Sequence, residues 1–364
     1  MSTPFDAILI GAGQAAPSLA HRLAAAGMKI AFLERGKFGG TCVNTGCIPT
    51  KTMVASAYAA HVARRAADYG VLAGDVKVDM KAVKARKDLV SGNSRRAVEK
   101  GLRGLANCTV ITGHARFLSP RTVQVGDQVL ESGRIFLDVG GRATAPNMPG
   151  LDRIPYLDNS SMMDVDFLPE HLVVVGGSYV GLEFGQMFRR FGSAVTILEM
   201  GPRLIGHEDA DTSLAVQGIL EAEGVQLRLN ATCIGFEPAG GGVSARVDCT
   251  HGVPEVQGSH VLLAVGRRPN TDDLGLDRAG VAVDARGYIT VDDQCRTNVP
   301  GIWAMGDCNG RGAFTHTSYN DFEIVAANLL DGETRTVADR IAAYALYTDP
   351  PLGRAGMTET EARA

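Results

Sequence analysis

Apolar residues arrive along this chain in short blocks separated by glycines and polar turns, and the block lengths predict alternating strands and helices. Phe5–Ile10 is an apolar run of strand length, followed by Gly11-Ala-Gly13-Gln-Ala-Ala16 and an Ala-rich helical stretch to about Ala26. A second strand, Lys29–Leu33, ends on Glu34. Beyond a segment with two cysteines, Met53–Gly70 reads as helix. Val83–Leu105 reads as another, with a break expected at Gly92. From Thr109 to Val139 the pattern changes to short alternating strands with turn signals at Ser119-Pro120 and Gly126-Asp127. Val139–Gly150, rich in glycine and proline, reads as a crossing between domains.

The second half then repeats the first. His171–Val175 is a strand, Gly176-Gly-Ser178-Tyr-Val-Gly181 opens a helix through Phe191, and the strand Ala194–Leu198 ends at Glu199. Gly11 to Glu34 spans 23 positions, as does Gly176 to Glu199, and Gly27 and Gly192 share the same offset of 165. Val225–Ala264 is strand-rich with a turn at Gly240-Gly-Gly242, and Tyr319–Leu330 is a final helix. Asp331–Arg340 reads as a polar linker. The Tyr344–Ala364 stretch starts something new and is expected to expose Leu346, Tyr347, Leu352 and Met357. Strands alternating with helices, twice over, predict an α/β chain with two Rossmann-like domains.

The chemistry of these turns follows from the backbone. Glycines let the chain approach a pyrophosphate, the helix start binds its charge, and an acid at the next strand end holds ribose hydroxyls. A lone G-x-G-x-x-A is weak, but here strand, helix and acid stand in register, twice, which predicts two dinucleotide sites. Ser178 replaces the middle glycine of the second fingerprint and is expected to loosen its phosphate contact. Glu199 favours NAD over NADP, because a 2′-phosphate there would meet a carboxylate, and Arg203 would soften that preference. Gly301-Ile-Trp-Ala-Met-Gly-Asp307 places an aspartate at a strand end, where it can reach a polyol.

Composition sets outer bounds. The chain has 364 residues, 45% hydrophobic and 21% charged, with 44 glycines. That length accommodates two or three domains. A net charge of −4 supplies no overall basic field for nucleic acid. The eight Lys/Arg between Lys81 and Arg103 read as a solvated helix face. Met1–Asp6 lacks a cationic leader, and no apolar run approaches the ~18 residues of a membrane span, so a soluble cytoplasmic protein is expected.

Seven cysteines, five of them scattered, do not suggest a secreted disulfide framework. Cys42 and Cys47 stand five apart in Gly39-Gly-Thr-Cys-Val-Asn-Thr-Gly-Cys-Ile-Pro-Thr-Lys-Thr52. On one ideal helix their Cα atoms would lie about 8.6 Å apart, beyond the ~7 Å a disulfide tolerates. They can bridge only if Cys42 lies in bent backbone ahead of the helix, a freedom Gly46 supplies. Pro49 suits a first helical turn, so Cys47 falls at a helix start with Lys51 one turn on. Dipole and ammonium both favour thiolate there. A bare C-x4-C is more often two plain loop cysteines; the nucleotide fingerprints on either side give this one a redox reading. No second C-x-x-C or paired histidines lie nearby to make it a zinc site, and no metal-ligand set is predicted.

With these motifs in hand, the chain resembles the flavin-dependent pyridine nucleotide–disulfide oxidoreductases, the class I group containing glutathione reductase, dihydrolipoamide dehydrogenase and mercuric reductase. Gly39–Lys51 is highly specific to that group. Phe314-Thr-His-Thr-Ser-Tyr-Asn-Asp and Thr348-Asp-Pro-Pro-Leu-Gly-Arg-Ala-Gly-Met-Thr-Glu are most similar to its mercuric-reductase-like members. The resemblance implies FAD on the first unit, through Gly11, Gly13, Ala16, Glu34, Gly40, Thr41, Lys51, Ala115, Gly140, Asp307 and Thr315. It implies a nicotinamide cofactor on the second, through Gly176, Tyr179, Gly181, Glu183 and Glu199. Gly266, opening Gly266-Arg-Arg-Pro-Asn-Thr271, is counted with these cofactor-binding positions.

By the same resemblance Cys42 exchanges with substrate, Cys47 forms a charge-transfer pair with the flavin, Lys51 sits beside the flavin and Glu183 pairs with Lys51. The domains it implies are 1–149 for FAD, 150–264 for NAD(P), 265–340 returning to the FAD domain, and 341–364 opening a C-terminal interface domain. The rest of that domain is expected to lie beyond Ala364, with the His–Glu pair of disulfide-reducing members and the terminal cysteines of mercuric reductases. Family members form homodimers, and no heavy-metal-binding domain is expected ahead of Met1. Thr50 stands where serine is common. The expected function is electron flow from NAD(P)H through FAD to the Cys42–Cys47 disulfide and on to an acceptor. A metal ion such as Hg(II) is preferred, since soft metals bind paired thiolates. The alternatives are dihydrolipoamide dehydrogenase or another disulfide reductase and, from a different class, a flavin-binding redox sensor without complete turnover.

Overall fold

The computed structural model describes residues 2–231, 234–247 and 255–364, so the parts of the strand-rich Val225–Ala264 stretch at 232–233 and 248–254 lie outside the described residues. In chain order the helices are α1 (Ala16–Ala25), α2 (Gly40–Asn44), α3 (Cys47–Arg64), α4 (Met80–Arg103), α5 (Tyr179–Phe191), α6 (Ala210–Ala222), α7 (Leu276–Ala279), α8 (Thr315–Leu330) and α9 (Glu359–Arg363). The chain divides into two compact units. The first comprises Met1–Cys47, Ser91–Arg142 and Arg267–Arg340. The second comprises Ile48–Val90, Ala143–Gly266 and Ile341–Ala364.

The first unit is built on a five-stranded parallel sheet in the order Ile302–Ala304, Ile135–Leu137, Ala7–Ile10, Ile30–Glu34, Cys108–Thr112. Alternate residues of its central strands enter different cores. Ile8, Ile10, Ala31 and Leu33 join one cluster, Ala7, Leu9, Ile30 and Phe32 the other. A sheet buried on both faces needs such unbroken apolar strands. Helix α1 seals the second face with Ala16, Leu19, Ala20 and Leu23, an i, i+3, i+4, i+7 stripe whose alanines permit close packing.

The second unit repeats the plan with four parallel strands, Gln226–Arg228, Ala194–Leu198, His171–Val175 and His260–Leu263. In both units the first strand sits inside the sheet, flanked by the second strand and by a later one. Its C-terminal end is therefore the switch point at which α/β sheets bind ligands. The repeat holds to single residues: Ala7 pairs with Ile30, and Leu172, 165 positions later, pairs with Val195.

Three expectations are corrected or refined here. Cys42 does lie ahead of the helix that Cys47 opens, but in a one-turn helix of its own, α2; the bend falls at Thr45–Gly46, between α2 and α3. Gly46 is needed for space, since a Cβ there would stand 3.0 Å from the Thr41 carbonyl oxygen. Helix α4 runs through Gly92 without a break, since a single glycine costs a helix interior only about 1 kcal/mol. Leu346 is buried, not exposed: Ala343–Leu346 and Leu352–Ala355 close into a hairpin within the second unit. Tyr347 and Met357 are exposed as expected, and Leu352 is half-buried. Helix α6 was not foreseen: of its apolar residues Leu214, Val216, Ile219 and Leu220 only Val216 and Leu220 are buried, and the four do not fall on one clean stripe.

Candidate active site and dinucleotide sites

The turn after Ala7–Ile10 is shaped by what it must avoid. Gly11 has φ +95°, and a Cβ there would overlap the Asp138 carbonyl; one at Gly13 would stand 2.6 Å from Asp138 Oδ1. The Ala12 amide donates to Glu34 Oε2 (2.7 Å) and the Gly36 amide to Oε1 (2.6 Å), fixing the acid beside the turn. Gly40, at φ +59°, lies against this turn, where a Cβ would come within 3.0 Å of Gly13 Cα. Ala16 opens α1, and Gly140, at φ +63°, leaves open space where its side chain would be. Ala115 lies in a strand, with its methyl in the core alongside Phe117 and Val125.

The second unit reproduces these bonds. Gly177 donates to Glu199 Oε2 at 2.6 Å and Gly201 to Oε1 at 2.7 Å, each partner 165 positions after its counterpart. Gly176 has φ +113° and crowds the Ala264 carbonyl, while Gly181 lies so close to Gly176 that no side chain fits. Ser178 caps α5 in extended backbone, φ −107°, a conformation that does not require glycine. Tyr179 is the first residue of α5, and Gly266 (φ +119°) closes the segment Ala143–Gly266 of this unit, shortly after the strand His260–Leu263. Both turns thus combine a side-chain-free backbone, a helix start and a fixed carboxylate, which fits a dinucleotide.

Two sequence-predicted groups converge in each unit. In the first, Cys47 opens α3 and its Sγ lies 3.2 Å from Thr315 Oγ1, the first residue of α8. Nearby, Arg267 Nη2 reaches Thr41 Oγ1 at 3.2 Å and Asp307 Oδ2 at 3.5 Å. Burial pushes the Asp307 carboxyl up from its ordinary range, against the pull of Arg267. In the second unit, Lys51 Nζ donates to both oxygens of Glu183, at 3.0 and 2.8 Å. Glu183 is 4% exposed and also accepts the Tyr347 amide at 3.0 Å, while the Lys51 ammonium stands 4.4 Å from the centre of the Tyr347 ring.

Sequence reasoning missed Asp138, Arg267 and Tyr347. Asp138 was legible as an acid closing the apolar Ile-Phe-Leu strand; nothing in the pattern marked Tyr347. The remaining described cysteines behave differently from the pair. Burial pushes the Cys108 thiol up to about 11 and those of Cys295 and Cys308 higher still, whereas Cys47 is exposed. Buried thiols of this kind are inert.

The profile of the family described as pyridine nucleotide-disulphide oxidoreductase matches residues 5–321. The chain belongs to that family. It is 34% identical to the mercuric reductase of Streptomyces lividans, covering 99% of this chain and 77% of that protein. It is 32% identical to a dihydrolipoyl dehydrogenase of Cupriavidus necator, covering 100% and 80%. Among solved structures, the Cu(II) complex of the HOCl-induced flavoprotein disulfide reductase RclA from Escherichia coli superposes with a TM-score of 0.90 at 34% identity, over 99% of this chain and 79% of that one. As a pyridine nucleotide-disulphide oxidoreductase the chain is an enzyme whose family cofactors are FAD and NAD(P)H. No helix among the described residues is long and apolar enough to cross a membrane.

Proposed function

We propose that this oxidoreductase passes electrons from NADH, by way of FAD, to a disulfide between Cys42 and Cys47 and on to a soft metal ion such as Hg(II). The observation that carries the reading is the placement of Cys47 at the first position of α3 with the Thr315 hydroxyl 3.2 Å from its sulfur. A helix start and a hydroxyl donor both favour the thiolate over the thiol. When bound, FAD supplies the two-electron relay between a nicotinamide and a sulfur centre. The chain does the rest. The Gly11 and Gly176 turns seat the two nucleotides, and the Glu34 and Glu199 carboxylates hold their ribose hydroxyls. Glu199, already anchored by two amides, faces a 2′-phosphate with negative charge and so selects NADH. Glu183 fixes the Lys51 ammonium. Cys42, in its own short helix, is left to meet the acceptor. Two reduced sulfurs close in sequence bind a soft cation well, which supports the metal-ion reading, as does likeness to a mercuric reductase.

Likeness to a dihydrolipoyl dehydrogenase supports a second reading, in which Cys42 exchanges with a small disulfide. A steady-state panel of Hg(II), Cu(II), lipoamide and glutathione disulfide separates the two. We expect NADH consumption to be fastest with a metal ion. Saturable turnover with lipoamide alone would overturn the metal-ion acceptor and leave the electron path intact.

A further inference from the structure

One buried acid stands outside the electron path. Asp138, 4% exposed, closes the Ile135–Leu137 strand beneath the first glycine turn. Its Oδ2 accepts the Ala15 amide at 3.1 Å and the Ala16 amide at 2.8 Å. The start of α1, where a dinucleotide's pyrophosphate is drawn by free amides and the helix dipole, is therefore already occupied by a carboxylate. Neither amide bond falls on Oδ1, which lies toward Gly306, where a Cβ would stand 3.1 Å from it; a Cβ at Gly13 would stand 2.6 and 2.7 Å from Oδ1 and Oδ2.

The charged groups around Asp138 sharpen the problem. Asp307 and Asp321 approach it from the Gly306–Asn309 turn and from α8, and Cys308 lies close by. Asp307 has Arg267 as a partner, and Asp321 has Arg340. Among the described residues no cation pairs with Asp138. A diphosphate at this turn brings negative charge toward a buried carboxylate that has only two amides to offset it, in surroundings of low dielectric.

We propose that Asp138 couples retention of FAD to proton uptake: the first unit binds the dinucleotide with Asp138 neutral, taking one proton from solvent onto Oδ1. Both amide bonds fall on Oδ2, so the form protonated on Oδ1 keeps them. Burial pushes this carboxyl well above its ordinary range, with Asp307 and Asp321 adding to the rise against the two amide bonds. The sign follows. A bound anion raises the Asp138 pKa further, so binding takes up a proton and FAD affinity falls as pH rises. The inference rests on the reading that the first unit holds FAD.

The test is FAD dissociation from the holoprotein between pH 5 and 9, with wild type beside Asp138→Asn. The wild-type dissociation constant should rise by up to about tenfold per pH unit over the interval between the two Asp138 titrations, as one linked proton requires. Asp138→Asn, which keeps an oxygen for both amides, should bind at least as tightly and show no such slope. Infrared difference spectra of the wild type alone, taken on adding FAD to the apoprotein, should gain a protonated-carboxyl band. That measurement stands even if the variant fails to fold. A flat wild-type profile, the same slope in Asp138→Asn, or no carboxyl band on binding would each overturn the proposal. No FAD binding at any pH would sink the cofactor reading beneath it as well.

Discussion

At the scale of single residues, the two cysteines of the pair are set apart by their surroundings rather than by their type. Cys47 has a helix start and the Thr315 hydroxyl, while Cys42 sits within the separate turn of α2. A hydrogen bond to a charged acceptor contributes about 1.5–3 kcal/mol, roughly one to two units of pKa. In the reduced protein, Thr315→Val should therefore raise the pH at which Cys47 becomes reactive toward iodoacetamide by about one unit. An unchanged alkylation profile would remove Thr315 from the account. Anaerobic addition of NADH should also produce long-wavelength absorbance that Cys47→Ser abolishes and Cys42→Ser keeps or enhances. The opposite pattern would exchange the two roles.

At the scale of elements, Glu183 on α5 and Lys51 on α3 are held in register by a third contribution from the Tyr347 backbone and ring. Replacing the carboxylate leaves the ammonium beside a neutral amide. Glu183→Gln is expected to slow flavin reduction by NADH in stopped-flow while FAD content stays near wild type; an unchanged reductive phase would show the pair to be idle. Helix α4 offers a test of a different kind. Gly92 lies in its interior, and an added Cβ would meet only the flexible end of Arg96, at 3.3 Å. Gly92→Ala should gain about 0.4–1 kcal/mol, chiefly by restricting the unfolded chain. The melting temperature should then rise by about 1–3 °C. A drop would mean that the helix needs the glycine where it stands.

At the scale of the whole chain, the doubled α/β plan was legible because its signals are local. Two apolar strands, two glycine turns and two acids at a constant offset of 165 survive in the sequence as spacing alone. The hydrogen bonds repeat with the same offset, so that each acid clamps its own turn. What the sequence hid depends on distant partners. Leu346 could be seen to be apolar, but its cover comes from a hairpin pinned by Gln186 to Asp349 (2.8 Å), Arg190 to Asp349 (2.8 Å) and Arg354 to Glu208 (3.0 Å). Asp138 was passed over for the same reason, since its amide partners lie more than 120 positions earlier. Gly92 misled because an isolated glycine within a helical pattern is tolerated at a cost of about 1 kcal/mol.

The central claim is that nicotinamide electrons arrive at one particular pair of sulfurs. It is tested most directly by counting thiols. Oxidised holoprotein should be mixed anaerobically with one equivalent of NADH, quenched with an alkylating reagent and digested, and the new adducts mapped by mass spectrometry. Burial keeps Cys108, Cys295 and Cys308 in the protonated, unreactive form at neutral pH. Two additional alkylated thiols are expected, on Cys42 and Cys47. No increase over the oxidised sample, or an increase located at other cysteines, would contradict that claim.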